Sequence, residues 1–178
     1  MPVHPTGMKT TTLFAAALLA LSTAASAQAI NDAQIASIVV TANQVDVDAG
    51  KLAASKATNP EVKKFAQTMV TDHTGVNKSA KDLVTKLHVK PEDNPTAESL
   101  KKGGQENVAH LKTLKGDAFD KAYIEHEVAY HQQVIDAMDK TLIPSAQNAE
   151  LKALLVKVRP AFVAHLDHAK HVQSALPK

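Results

Sequence analysis

The run DAFDKAYIEHEVAYHQQVIDAMDKTL, residues 117–142, constrains this chain more than any other stretch, because Ile124, Val128, His131, Ile135, Met138 and Leu142 recur in it at steps of four and three. That spacing sets all six on one face of an α-helix. Five are apolar and belong in a core; the sixth is a histidine. A chain containing this helix must fold around an imidazole placed where water is excluded.

Two further stretches share this design without sharing its wording. Val62, Ala66, Met69, His73, Val76, Ala80, Leu83 and Leu87 form one seam, and Leu151, Leu155, Val158, Phe162, His165, Ala169, Val172 and Leu176 form another. Each again carries one histidine. A fourth seam, Ile35, Ile38, Ala42, Val45, Ala49 and Leu52, has none, but Asp46 stands on the stripe beside it.

Punctuation sets the helix bounds. The first helix, 32–57, starts from Asn31 or Asp32, and Thr58-Asn59-Pro60 ends it. Asn59 is a good N-cap and Pro60 a good first helical residue, so a second helix, 60–88, must fold straight back antiparallel. Pro91 and Pro95 then break the chain. A shorter helix is expected between 96 and 115, and Gly103-Gly104, costing about 1 kcal/mol each against alanine, delays its start to Gln105. Gly116 closes it. Asp117, with Asp120 three residues on, caps the third long helix, 117–143; Asn148 caps the fourth, 149–175, in which Pro160 makes a kink. Two antiparallel pairs joined by a connection long enough to run the length of a bundle predict an all-α, ferritin-like antiparallel four-helix bundle, with a long crossover carrying a short extra helix.

The start of the chain reads differently. Lys9, the apolar run Leu13 to Leu21 and the small-x-small triplet Ala25-Ser26-Ala27 make a cleavable signal peptide over 1–27, too short to span a bilayer, and leave 28–178 as one domain. Export into the periplasm or beyond is therefore expected, with peripheral association with the outer membrane as the other location, since no later segment is apolar enough to span. Charge is close to balanced, 20 Lys and Arg against 18 Asp and Glu, so no field exists to recruit nucleic acid. The absence of cysteine removes disulfides, thiol nucleophiles, thiolate metal sites and covalently attached haem. No catalytic signature is present: there is no phosphate loop and no Gly-x-Ser-x-Gly.

The stretches VDVDAGKLA (45–53), VKKFAQTMVTDHT (62–74), GDAFDKAYIEHEVAYHQ (116–132) and LKALLVKVRPAFVAHL (151–166) resemble the domain-of-unknown-function 4142 family of exported bacterial proteins, often labelled predicted outer-membrane proteins and grouped with ferritin-like folds. Here Asp46 stands where the family usually has glutamate. The resemblance implies fold and export and supplies no reaction.

In helices of these bounds Asp46, His73 and His131 fall near mid-height and His165 about 5 Å beyond, at 1.5 Å per residue. All four can reach one central layer. Three imidazoles and a carboxylate suit zinc, copper(II), iron or manganese. The pattern is not that of di-iron bundles, because no helix carries Glu-x-x-His. A second reading has the layer metal-free, fixing helix register in a structural or interaction protein of the cell envelope. A third, a haem or small-ligand carrier, finds no mark of a ligand-sized cavity in the sequence. His168 and His171, three apart, are weaker candidates for a surface ion. Glu127, four residues before His131, could assist the central layer, but the expected direction is toward solvent or a lysine; His88, His110 and His126 are expected to lie on the surface.

Overall fold

The computed structural model describes residues 29–178, and every regular element among them is helical. The signal peptide expected over 1–27 lies outside the described residues. In order come α1 (Asp32–Lys56), α2 (Pro60–Lys86), α3 (Pro95–Lys112), α4 (Gly116–Ala137), a π-helical turn (Met138–Leu142), the short α5 (Ile143–Ser145) and α6 (Ala149–Ala175).

Three of the expected caps form. Asn31 accepts from Gln34 N at 2.8 Å while the Gln34 side chain accepts from Asn31 N at 3.0 Å, a reciprocal capping box. Asn59 accepts from Glu61 N at 2.9 Å, and Asn148 from Glu150 N at 2.9 Å and Leu151 N at 3.1 Å. Each satisfies helix-start N–H groups that have no partner within the helix.

Other expectations are corrected. The connecting helix does not wait for Gln105: it starts at Pro95, capped by Asn94 accepting from Ala97 N at 3.0 Å, and runs through both glycines. Packing explains this, since a Cβ on Gly104 would stand 2.7 Å from Val45 Cγ1, so the close approach of α3 to α1 needs a glycine there and outweighs its poor helix propensity. Asp117 is not a cap, for Lys115 holds that position with no side-chain bond. Asp120 is buried instead, and accepts from Thr58 N at 3.1 Å, Thr58 Oγ1 at 2.9 Å and Asn59 N at 2.8 Å, clamping the α1–α2 turn. The helix predicted over 117–143 keeps α geometry only to Ala137 before widening into the π turn. The last helix continues through Pro160.

Hydrogen bonds fix the helix directions. Glu92 N donates to Ala33 O at 2.9 Å and Asn94 Nδ2 to Gln34 O at 3.2 Å, tying the start of α3 to the start of α1. At the far end Lys56 Nζ donates to Leu111 O at 3.3 Å and Lys112 O at 2.9 Å, so α3 runs beside α1 in the same direction. Asp32 accepts from Gln147 N and Asn148 N at 2.9 Å each, bringing the α5–α6 turn to the start of α1. It follows that α1 and α6 run one way while α2 and α4 run the other. With α2, α3 and α4 all against it, α1 is buried well beyond its single seam: Asn43, Asp46 and Val47 are inside as well.

The apolar core comes in two parts. Ile35, Ile38, Val134, Ile135, Leu142 and Leu155 belong to the part near the start of α1. Phe65, Met69, Leu111, Phe119, Ile124 and Val172 belong to the part near its end. Between them lies a layer of buried polar side chains.

Candidate metal centre

The four side chains singled out from the sequence meet in that layer, one from each long helix. Asp46 and His73 are 1 % exposed, His131 0 % and His165 6 %, so all four lie out of water. The imidazole centroids are 5.5 Å apart for His73–His131, 5.0 Å for His73–His165 and 5.4 Å for His131–His165. A nitrogen from each ring lies within 4.8 Å of the others. Asp46 Oδ2 stands 2.6 Å from His73 Nε2 and 3.8 Å from His131 Nε2. At 2.6 Å a proton on Nε2 or a shared cation must bridge the two atoms, since two bare lone pairs would repel.

Each ring is oriented by an acceptor on its outer side. His73 Nδ1 lies 2.7 Å from Asn43 Oδ1, and because Asn43 Nδ2 donates to Val39 O at 2.8 Å, that oxygen accepts and Nδ1 carries the proton. His131 Nδ1 lies 3.0 Å from the Glu127 carbonyl oxygen, which can only accept. His165 Nε2 lies 2.7 Å from Asp72 Oδ2. The three remaining nitrogens, His73 Nε2, His131 Nε2 and His165 Nδ1, are buried and have no hydrogen-bond partner in the protein. In neutral rings so oriented His131 Nε2 and His165 Nδ1 are the lone-pair nitrogens, and His73 Nε2 joins them only when a cation rather than a proton bridges it to Asp46. Outer N–H groups held by an amide oxygen, a backbone carbonyl and a carboxylate are the arrangement that orients and strengthens metal-ligating imidazoles.

Glu127 corrects the sequence reading. It points inward at 0 % exposure, four residues before His131 on the same helix face; neither of its oxygens has a hydrogen-bond partner, and Oε2 is 3.3 Å from His131 Nδ1. Asp46, Glu127 and His131 form a second group of potential ligands with donor atoms within 4.8 Å. Burial, the Asp46 charge and contact with Asp46 raise the Glu127 carboxyl well above its ordinary range. Burial also pushes Asp46 up, but the His73 imidazole beside it, then His131 and the Glu127 acid, more than reverse that and hold it well below the usual range. His131 is held down to about 4, chiefly by burial, with Asp46 opposing and His73 adding to the effect. Burial likewise lowers His165, against the pull of Asp72. At neutral pH the layer therefore offers an ionised Asp46 and the unprotonated rings of His131 and His165.

The weaker candidates do not join this centre. His168 turns onto the Phe65 ring, centroids 5.2 Å apart, while His171 is exposed. His88 and His110 are exposed as expected, but His126 is half-buried and stacks on Tyr130 at 5.8 Å. Tyr130 Oη donates to Ala42 O at 2.7 Å. Beside the layer lies a cleft of about 560 Å³, lined in part by Asn43 and Phe162, so the expectation that no ligand-sized cavity exists is also corrected.

The described residues thus form an all-helical protein with a buried layer of histidines and carboxylates. The sequence matches the family model described as a domain of unknown function, DUF4142, over residues 18–172, and the chain belongs to that family. No curated protein matches it. Among solved structures it is similar to CopM in the Cu(II)-bound form, at 17 % identity and a TM-score of 0.65, over 83 % of this chain and 98 % of that one. That likeness shows the fold. No helix among the described residues is long and apolar enough to cross a membrane.

Proposed function

We propose that this is a metal-handling protein of the bacterial envelope that holds one transition ion among His73 Nε2, His131 Nε2, His165 Nδ1 and Asp46. One observation carries the reading: the buried His131 Nε2 and His165 Nδ1 have no partner and face His73 Nε2, which meets only the Asp46 carboxylate, while each ring's other nitrogen is committed to an acceptor. A buried polar atom left unpaired costs about 1–3 kcal/mol, and a shared cation removes that cost for His131 and His165 while giving the Asp46 charge a counter-ion. At metal–nitrogen distances of about 2.0–2.1 Å tetrahedral donors stand about 3.3 Å apart, so the rings draw together on binding. Thiolate-free, imidazole-rich donors suit Cu(II) or Zn(II) and admit iron or manganese. The Cu(II) named for CopM makes copper the first ion to try. The helix directions fit a ferritin-like antiparallel four-helix bundle of α1, α2, α4 and α6, with α3 riding on its crossover. Removal of residues 1–27 on export would place the domain 28–178 in the periplasm or outside the cell, free or peripherally associated with the outer membrane.

The close His73–Asp46 contact favours a second reading, a metal-free ion pair that sets helix register in a structural or interaction protein. Chelated protein should be melted alone and with Cu(II), Zn(II), Fe(II) and Mn(II), with bound metal counted. A rise in Tm with one ion per chain supports the centre. No shift with any of the four ions sinks it.

A further inference from the structure

We infer that the cleft between α3 and the α4–π segment binds an uncharged, largely apolar small molecule. Its volume, about 560 Å³, falls within the roughly 300–1,000 Å³ of small-molecule sites. Its floor is apolar and buried, from Val39 and Ala42 on α1, Val134 on α4, Met138 in the π turn, and Leu155 and Phe162 on α6. Its rim carries Thr96, Ser99, Gln133 and Thr141, hydroxyls and an amide exposed at the surface. No Lys, Arg, Asp or Glu lines it, although these make up 21 % of the chain, and the His126 ring that does line it is held below its ordinary range by burial. An ionic headgroup would lose water there and meet no counter-charge, whereas a hydroxyl or carbonyl at the rim would find donors and acceptors.

Two departures from regular helix building open this same space. Gly103 lines the cleft, and a Cβ there would meet nothing within 4 Å, so its missing side chain leaves room that packing does not require. That costs α3 about 1 kcal/mol of helix propensity. On the opposite wall the π turn Met138–Leu142 sends Met138, Thr141 and Leu142 into the lining; such turns interrupt α-helices mostly at functional positions. Two unfavourable local choices facing one apolar cleft mark a binding site rather than a packing fault. The cleft needs no ion at the histidine layer to hold such a molecule.

The test titrates the purified protein with N-phenyl-1-naphthylamine, an uncharged apolar fluorophore, and displaces it with a long-chain alcohol or the ionised fatty acid of equal length. Saturable one-to-one binding is expected, with the alcohol displacing at least tenfold better than the fatty acid. Gly103→Leu should melt higher than the parent and bind at least tenfold more weakly; Thr141→Leu, filling the other wall, should also weaken binding. Absence of saturable binding, equal displacement by the fatty acid, or unchanged binding in both variants overturns the inference. So does sedimentation showing a dimer that Gly103→Leu splits, which assigns the cleft to a second copy of the chain.

Discussion

Replacing His131 by leucine should change the sign of its effect on stability when metal is added. Without metal the substitution removes Nε2, a buried atom with no hydrogen-bond partner, and continues the apolar helix face of Ile124, Val128 and Ile135. Relief of about 1–3 kcal/mol is set against loss of one hydrogen bond worth about 1 kcal/mol, from Nδ1 to the Glu127 carbonyl. The metal-free variant should therefore equal the parent or exceed it by up to about 2 kcal/mol. With ion at a hundredfold excess over Kd the parent gains about 2.7 kcal/mol that the variant cannot match. At roughly 2–4 °C per kcal/mol for a chain of this size, that is a rise of roughly 5–11 °C in the parent alone. Thermal melts by circular dichroism, with chelator and with Cu(II) or Zn(II), read both differences. If parent and variant keep the same order and spacing in both conditions, His131 is not a ligand.

In metal-free protein His131 titrates near 4 when folded and near 6.5 when unfolded, so the unfolded chain binds more protons between those values and stability rises with pH across that window. The contribution, on the order of 3 kcal/mol, is complete above pH 6.5 and lost as pH falls toward 4; urea titrations should show this slope reduced in His131→Leu. Glu127 acts in the opposite sense: its folded pKa is raised above the ordinary 4.5, so keeping it protonated costs more as pH climbs. Glu127→Gln should thus stabilise the metal-free protein at neutral pH by a margin growing about 1.4 kcal/mol per unit above 4.5 until the parent's acid ionises, and equal unfolding midpoints at pH 5 and 7 would contradict it. The adjacent glycines of α3 should respond with opposite signs. Gly103→Ala gains about 1 kcal/mol of helix propensity, whereas Gly104→Ala drives a Cβ to 2.7 Å from Val45 Cγ1 and should lose about 1–3 kcal/mol; denaturant midpoints shifting the same way would refute the packing account. Asp120→Ala, which leaves Thr58 N and Asn59 N without their acceptor, should cost about 2–4 kcal/mol by the same assay, and a loss below about 1 kcal/mol would mean the turn holds without it.

The three histidines were legible because each interrupts an otherwise apolar helical period, and a period names the buried face directly. Asp46 was legible only as a neighbour of such a seam. Glu127 was not, because a carboxylate between Tyr123 and His131 on one helix reads as a solvated charge unless Asp46, far off in sequence, is known to stand opposite it. The same limit hid the true burial of α1, whose second covered side exists only because α3 lies along it. Gly103-Gly104 misled for a related reason: propensity counts what a glycine costs its own helix and cannot register Val45 on another. Caps such as Asn59 and Asn148 were readable since their partners lie two or three residues away. Asp120 was misassigned because its partners lie on a different turn altogether.

Asp32 and Asp120 together give the fold a reciprocal key. The first lies at the start of α1 and grips the turn before α6; the second lies near the start of α4 and grips the turn between α1 and α2. Each helical hairpin thus closes over an aspartate of the other, at opposite ends of the molecule. A slip of one hairpin by one helical turn, about 5.4 Å, would tear both grips at once and carry His131 and His165 past Asp46 and His73 by the same step. The two clamps work as a vernier: far from the buried layer, they fix the height at which its four side chains come level.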